Sequence, residues 1–313
     1  MVLGPDHPGA SGTPGIPREE FDRRFDELSN WSRWGSADER GTLNHLAPDH
    51  VVAAARLVRT GRHVSLARTL DPVASERNPR PFLHHMVQLA DAGTGDARSN
   101  RDFFGLDFHG SATTHLDALA HMTYRGQLYN GQEASTVTSR GAGFGAVSVL
   151  RDGIVTRGVL LDLPPARGVP WVEPPVGLTA DDVADLADGS GVEIGAGDAV
   201  VIRSGEPARP RADGRHGTVG LRPDALAWLA ERRIALLGSD EDSDARPSPV
   251  EGIPSPIHVL ALVSLGMCLL DNLDLEALSR ACREQGRSEF LLVVAPLVAA
   301  GGTGSPVNPI AIF

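Results

Sequence analysis

Residues 108–121 read Phe-His-Gly-Ser-Ala-Thr-Thr-His-Leu-Asp-Ala-Leu-Ala-His, and this stretch brings three potential metal ligands close together in the sequence. Side chains two positions apart on a β-strand point to the same face, so His115 and Asp117 converge if this segment is a strand. On a helix they would diverge by about 200°. His121 reaches the same pocket only if the chain bends after Leu119. Carboxylate and imidazole ligands suit Zn or Mn. The H-x-D spacing also occurs in ordinary loops, so it leaves a metal-free interpretation open.

The same stretch resembles the signature of the cyclase family, which comprises kynurenine formamidase-like and isatin hydrolase-like metal-dependent hydrolases. The pattern of that family reads H-x-G-T-H-x-D-x-P-x-H. Four of its positions are matched here by Thr114, His115, Asp117 and His121. The resemblance implies that His115 and Asp117 hold a divalent metal ion, Zn or Mn, and that His121 is the general base.

Three positions of the signature differ in this chain. Its first His falls at Ser111, its Gly at Thr113 and its Pro at Leu119. His109 stands two residues before the position of the missing His, so it replaces that ligand only through a local insertion. We include His109 on this basis as the third predicted metal ligand.

Two further regions extend the resemblance towards both ends of the chain. Residues 30–35 read N-W-S-R-W-G and residues 41–44 read G-T-L-N, while residues 301–309 read G-G-T-G-S-P-V-N-P. The resemblance therefore covers roughly residues 28–313. It implies an α/β fold in which a mixed β-sheet, or a barrel-like β core of the swivelling β/β/α type, is flanked by helices.

The sequence shows neither internal repeats nor a clean domain boundary, so we predict one domain over residues 18–313. Residues 1–17 are rich in Pro and Gly and are predicted to form a disordered tail. Residues 71–102 are polar and are predicted to be irregular.

The composition excludes several classes of protein. The chain has 313 residues and a formal net charge of −11, with 29 basic and 40 acidic residues. This balance argues against nucleic acid and against an anionic membrane surface, because both need basic patches. The sequence contains no Lys. A Schiff-base lysine and a phosphate-loop lysine are therefore excluded. The sequence also lacks the G-x-S-x-G motif that is typical of α/β-hydrolases.

The cysteines and the hydropathy pattern indicate the cellular compartment. Cys268 and Cys282 form no C-x-x-C motif, and we expect both to be buried free thiols in a reducing cytoplasm. We find no signal-peptide pattern, and no apolar run reaches the ~18 residues of a membrane span.

Aromatic and acidic residues outside the central stretch are candidates for substrate binding. Trp31 and Trp34 flank an Arg in a predicted loop, where they either line a pocket or cap the core. Tyr124 follows closely behind His121 and either shapes the pocket or belongs to a half-buried hairpin. Asp240 belongs to an acidic run after a predicted strand, and we interpret it as a residue of the pocket rim.

His258 is a candidate for a second metal site. It is predicted at the N-terminus of a helix, where the dipole lowers the pKa of an imidazole and keeps it neutral. In the resembled family, a His at this place and a Glu about twelve residues later supply a second metal site. The corresponding acid in this chain is Asp271, thirteen residues after His258.

The resemblance implies metal-dependent hydrolysis of an amide or cyclic amide C–N bond in a small aromatic molecule. Polarisation of the carbonyl by the metal and proton transfer by His121 are the expected chemistry. Two alternatives stay open: a ring-closing or dehydrating tailoring enzyme of secondary metabolism, and a family member without metal that only binds a ligand. We expect a small-molecule substrate as the partner, and a homodimer or homotetramer.

Overall fold

The structure is a computed structural model that describes residues 15–91, 96–210 and 217–313. Its α-helices are α1 (Arg18–Leu28), α2 (Pro48–Ala55), α3 (Leu163–Ala166), α4 (Ala180–Ser190), α5 (Pro223–Glu231), α6 (Pro256–His258) and α7 (Glu276–Gln285). A π-helix, Val259–Leu265, continues α6. No helix in these ranges has the length and apolar character needed to cross a membrane.

The strands are short, and most of them join one sheet. They are β1 (His63–Ser65), β2 (Leu83–Gln88), β3 (Arg101–Gly105), β4 (His115–Asp117), β5 (Val137–Thr138), β6 (Gly141–Ala142), β7 (Ile154–Asp162), β8 (Val176–Leu178), β9 (Ala199–Arg203), β10 (Val219–Leu221), β11 (Leu236–Ser239), β12 (Leu269–Asp271), β13 (Glu289–Val294), β14 (Gly304–Pro306) and β15 (Ile310–Ile312).

A nine-stranded mixed sheet with helices around it forms the core, as the sequence predicts. Its strand order is β1-β15-β13-β7-β9-β11-β12-β4-β14. The strands β7, β9, β11 and β12 run parallel to one another, whereas all other neighbouring pairs of this sheet are antiparallel. Every residue of β9 and β11 is buried, which is the pattern of parallel strands covered on both faces. The connections between these parallel strands contain α4, α5 and α6.

The predicted strand of the central stretch is confirmed, and its neighbours come from distant parts of the sequence. β4 pairs antiparallel with β12, so that Asp271 lies opposite His115. On its other side β4 pairs with β14, where Gly304 lies opposite Asp117. All three residues of β4 are buried. The sheet thereby holds His115 and Asp117 on one face and sets Asp271 beside them.

Two predictions about irregular segments need correction. Most of the predicted disordered tail, residues 1–14, lies outside the described residues. Ile16, however, is buried and its N–H donates to Pro249 C=O at 2.7 Å, so the tail prediction does not hold for residues 15–17. Residues 71–102 are not wholly irregular, because β2 and part of β3 form an antiparallel hairpin there.

The two cysteines behave as expected from their apolar surroundings. Cys268 and Cys282 are both buried and free. Burial raises the pKa of each thiol to about 12, so both stay protonated and unreactive at neutral pH.

A buried arginine at the end of β9 gives a prediction about stability. Arg203 is buried and donates to Asp162 at 2.7 Å and to Glu276 at 2.8 Å. We expect Arg203→Ala to lower the free energy of unfolding by about 3 kcal/mol, because two partly buried carboxylates lose their cation. Urea unfolding monitored by circular dichroism measures the loss. The exposed pair Arg23–Glu27 provides the control, since Arg23→Ala should cost less than about 1 kcal/mol. Equal losses in both variants would contradict the prediction.

Candidate metal centre

Four imidazoles surround the carboxylate of Asp117 beside a cavity of about 290 Å³. Oδ1 of Asp117 lies 2.8 Å from His109 Nδ1, 3.5 Å from His115 Nε2 and 4.0 Å from His121 Nε2. Oδ2 lies 3.4 Å from His258 Nε2. Asp117 is completely buried, and neither of its oxygens has a hydrogen bond of normal geometry within the described ranges. A buried carboxylate without such donors is costly unless another group compensates it.

Local chain geometry explains how the central stretch converges. The strand conformation of β4 points His115 and Asp117 to the same side, as their spacing predicts. The chain then makes the bend that His121 requires, since the N–H of His121 donates to Ala118 C=O at 2.9 Å. This turn returns His121 to the cavity. Its ring stacks on that of His109 with the ring centres 4.0 Å apart.

The loop before β4 carries His109, whereas the family signature has its first His at the position of Ser111. Ser111 occupies the position of the missing His, but its hydroxyl donates to Arg77 C=O at 3.0 Å and is thereby engaged away from the carboxylate. Asn272 holds this loop by donating to Gly110 C=O at 2.5 Å. His109 reaches Asp117 from the earlier position. The structure therefore brings all of His109, His115 and Asp117 together.

The electrostatics of the cluster favour a charged carboxylate and a neutral base. Burial alone would raise the pKa of Asp117, but the close ring nitrogens of His109 and His258 and the nearby His115 and His121 hold it well below its usual value. Burial lowers the pKa of His121 to about 4, although Asp117 opposes that shift. At neutral pH the His121 imidazole is therefore free to accept a proton.

A second set of potential ligands shares Asp117. His258 Nε2 lies 3.2 Å from Asp271 Oδ2 and 3.4 Å from Asp117 Oδ2. The other oxygen of Asp271 accepts a hydrogen bond from the Ser243 hydroxyl at 2.6 Å. The structure thus brings His258 and Asp271 together beside Asp117.

The sequence predicts a lowered pKa and a neutral ring for His258, and this prediction is wrong. Burial lowers its pKa, but contacts with Asp117, Asp244 and Asp271 outweigh that effect and raise the pKa well above its usual value. The helix start near His258 is occupied by Asp244, which accepts the Ile257 N–H at 2.6 Å and contacts His258 Nδ1 at 2.6 Å. Carboxylates therefore outweigh the helix dipole at this position.

The acidic run after β11 supplies different residues from the one predicted. Asp240 is fully buried, and its carboxylate accepts the backbone N–H groups of residues 204–206, which excludes it from the cavity rim. Asp242 lines the cavity instead, and Asp244 orients His258. The sequence analysis did not single out these two residues. The run itself bends and does not form a strand, so no regular alternation of side chains indicates which acids face inward.

The predicted substrate-binding aromatics have other contacts. Trp31 donates through Nε1 to Val263 C=O at 2.7 Å, and the hydroxyl of Tyr124 donates to Asp22. Trp34 lies against the ring of a neighbouring histidine. None of these three aromatic side chains is among the described residues that line the cavity beside Asp117. The substrate-binding prediction is therefore not supported for Trp31, Trp34 and Tyr124, and core packing is the observed role of Trp31 and Tyr124.

A contact behind His109 gives a prediction about metal affinity. His109 Nε2 lies 3.1 Å from the Thr303 hydroxyl, which leaves Nδ1 to face Asp117. We expect Thr303→Val to weaken metal binding by about 10–100-fold, the usual cost of losing a group that orients a ligating His. Competition with a chromophoric chelator measures the affinity. Thr303→Ser keeps the hydroxyl and should bind metal nearly as the wild type does. If the Thr303→Val variant and the wild type bind metal with equal affinity, the Thr303 hydroxyl does not orient His109 for metal binding.

Comparisons with known proteins identify the family of this chain. Residues 42–243 match the family described as putative cyclase. The crystal structure of a novel cyclase is 30% identical, with a TM-score of 0.83 over 91% of this chain and 100% of that chain. An isatin hydrolase bound to the product analogue thioisatinate is 22% identical, with a TM-score of 0.57 over 85% of this chain and 98% of the other.

A predicted metal-dependent hydrolase from Bacillus stearothermophilus shares the fold more distantly. It is 18% identical, with a TM-score of 0.51 over 81% of this chain and 98% of that chain. No protein of curated function matches the sequence.

Proposed function

Because the chain belongs to the cyclase family, we propose that it is a metal-dependent hydrolase of an amide or cyclic amide C–N bond in a small, aromatic substrate. The observation that carries the proposal is the buried carboxylate of Asp117, which has imidazoles around it and no hydrogen bond of normal geometry from the described residues. A cation is the group that would compensate such a carboxylate.

The donor set fits a divalent ion. Potential ligand atoms of His109, His115 and Asp117 lie within 4.8 Å of one another. Two imidazoles and one carboxylate suit Zn or Mn, and they leave further coordination positions of the ion open. When bound, such an ion supplies Lewis-acid chemistry, which polarises a carbonyl group and makes water more acidic. Asp117, His258 and Asp271 are the ligands that we propose for a second ion.

His121 performs the proton transfers in this proposal. Its ring lines the cavity and its nitrogen lies 4.0 Å from the Asp117 carboxylate, farther than those of His109 and His115. Its pKa of about 4 leaves the ring unprotonated at neutral pH. In this proposal the ring accepts the proton of the attacking water and then donates a proton to the leaving nitrogen. Stacking on His109 fixes the orientation of the ring.

The shape of the site supports a small substrate. The cavity of about 290 Å³ lies at the lower end of the range of small-molecule sites. Met122 gives it an apolar contact, and Arg246 is held at its rim by ionic contact with Asp242. The shared fold with an isatin hydrolase supports a cyclic aromatic amide as the first substrate to assay. We also propose a reducing cytoplasm as the site of action, which two buried free thiols suit.

Elemental analysis followed by a substrate panel tests the proposal. The protein is purified without chelator after metal-replete expression and assayed with isatin, N-formylkynurenine and a simple aromatic amide. We expect Zn or Mn in the protein, together with release of a carboxylate from at least one compound. Water loss or ring closure without hydrolysis would instead indicate a tailoring enzyme. A metal-free protein that binds these compounds unchanged would indicate a ligand-binding family member, and either result would overturn the proposal.

A further inference from the structure

The loop that carries His109 has open space on both of its sides. His109, Gly110 and Ser111 line the cavity of the candidate metal centre, and the same three residues line a second cavity of about 170 Å³ beside residues 76–80. Atoms that border a cavity lack the packing contacts of a filled interior. The side chain of His109 is accordingly 24% exposed, whereas that of His115 is 4% exposed. Packing therefore fixes His109 less firmly than it fixes His115.

Secondary structure does not fix His109 either. This residue lies six positions before the first residue of β4, whose pairing holds His115 and Asp117 on one face. A ligating side chain must be held to within about 0.5 Å of its productive position. The loop therefore needs other contacts to keep the imidazole of His109 beside Asp117.

Two side chains from remote segments hold this loop by its carbonyl groups. Asn272 donates to Gly110 C=O at 2.5 Å, and Nη1 of Arg68 donates to Ser111 C=O at 3.3 Å. Arg68 lies three residues after β1, and its backbone N–H donates to the Thr114 hydroxyl at 2.9 Å. Arg68 thus contacts the segment before β4 at two points.

Buried groups fix the other side of the Arg68 guanidinium. Its Nη2 pairs with Glu206 Oε2 at 2.8 Å and also donates to Asp240 C=O. Glu206 is buried, and Arg77 pairs with its other carboxylate oxygen. Burial would raise the pKa of Glu206, but Arg68 and Arg77 hold that pKa below its usual value, so the carboxylate is charged at neutral pH. Arg68 therefore connects the loop to the buried residues that follow β9 and β11.

We propose that Arg68 is a positioning residue that holds the loop of residues 109–111 against Glu206, so that the His109 imidazole faces Asp117 before any metal binds. Arg68 is not among the described residues that line the cavity of the metal centre, so it acts through the loop. A buried ion pair is weak evidence for a purely stabilising role, which favours a role in positioning. The inference rests on the proposed function, because it assigns a task within a metal centre.

The zinc affinity of the full chain tests this role. Metal-depleted protein is titrated with Zn²⁺ in competition with a chromophoric chelator. We expect Arg68→Met to weaken zinc binding by about 10–100-fold, the usual cost of losing a group that orients a ligand. Arg209→Met is the matched control, because the Arg209 side chain is 10% exposed against 13% for Arg68 and pairs with the buried Glu241 at 3.0 Å. The control should bind zinc nearly as the wild type does.

Arg68→Lys keeps the test valid if Arg68→Met does not fold. A lysine keeps a cation beside Glu206, but a single ammonium group cannot hold a carboxylate and two carbonyl groups in the planar geometry of a guanidinium. We expect this variant to have the circular dichroism spectrum of the wild type and to bind zinc at least about tenfold more weakly. A folded variant at position 68, Met or Lys, with wild-type zinc affinity would overturn the inference.

The same substitution in a chain without the His109 imidazole separates positioning from general damage. In the His109→Ala background, Arg68→Met should weaken zinc binding by less than about a further twofold, because the side chain that Arg68 positions is gone. An equal loss in both backgrounds would indicate a general structural defect and would overturn the inference.

The outcomes also distinguish this inference from the proposed function. A wild type that binds zinc but hydrolyses no compound of the panel would refute the proposed function alone. In that case a loss of zinc affinity in the Arg68 variants, absent from Arg209→Met and from the His109→Ala background, would still support the inference. A wild type that binds no zinc would overturn both.

Discussion

Asp117→Asn is expected to empty the metal centre and abolish hydrolysis. Loss of a group that merely orients a ligand costs about 10–100-fold in metal affinity, so loss of this ligand should cost more than ~100-fold. Asp117 has the largest expected effect because it contacts both ligand sets, through His109 and His115 on one oxygen and through His258 on the other. Elemental analysis after dialysis should show less than about a tenth of the wild-type metal.

A second buried aspartate provides the control for Asp117. Asp198 is also buried, but its carboxylate is paired with Arg157 at 2.8 Å and accepts the Gly195 N–H at 2.7 Å. Asp198→Asn should lower the melting temperature while the folded protein keeps its metal. If Asp117→Asn retains full metal content, the centre described above does not exist. If both variants lose metal equally, the loss reflects general destabilisation.

His121→Ala is expected to retain the metal and to lose about 10²–10⁴-fold in kcat, the usual contribution of a positioned acid–base group. The metal stays because His109, His115 and Asp117 remain, and substrate affinity should change only a few-fold because the base contributes little to ground-state binding. The measurements are metal content, melting temperature and kcat on the best compound of the panel.

His45 is a matched control for His121. Burial lowers the pKa of His45 to about 4 as well, yet this residue is not among those lining the cavity. His45→Ala should therefore change stability and leave kcat per folded molecule near the wild-type value. The comparison separates loss of a half-buried neutral imidazole from loss of the proton acceptor.

Other roles of His121 predict different combinations of results. A metal ligand would lose metal and rate together, and excess metal would restore part of the rate. A histidine that only packs would lower the melting temperature by the equivalent of about 1 kcal/mol and leave kcat unchanged. An unchanged kcat in the His121→Ala variant would refute the proposed proton transfer.

The sequence by itself determined the local geometry of the centre. If the segment is a strand, its period places His115 and Asp117 on one face, and the turn that His121 needs involves only residues 118–121. Resemblance to a family signature then added His109, which the loop before β4 brings to Asp117. These properties depend on a few neighbouring residues, which is why they can be predicted from the sequence.

Only the tertiary structure decided which distant side chains complete the site. The pairing of β4 with β12 sets Asp271 beside His115, and packing of the acidic run selects Asp242 and Asp244 while it buries Asp240. The aromatic residues were similarly ambiguous, because Trp and Tyr suit a core and a pocket equally well. Burial and backbone pairing between remote segments resolve such choices, and no local pattern in the sequence predicts either of them.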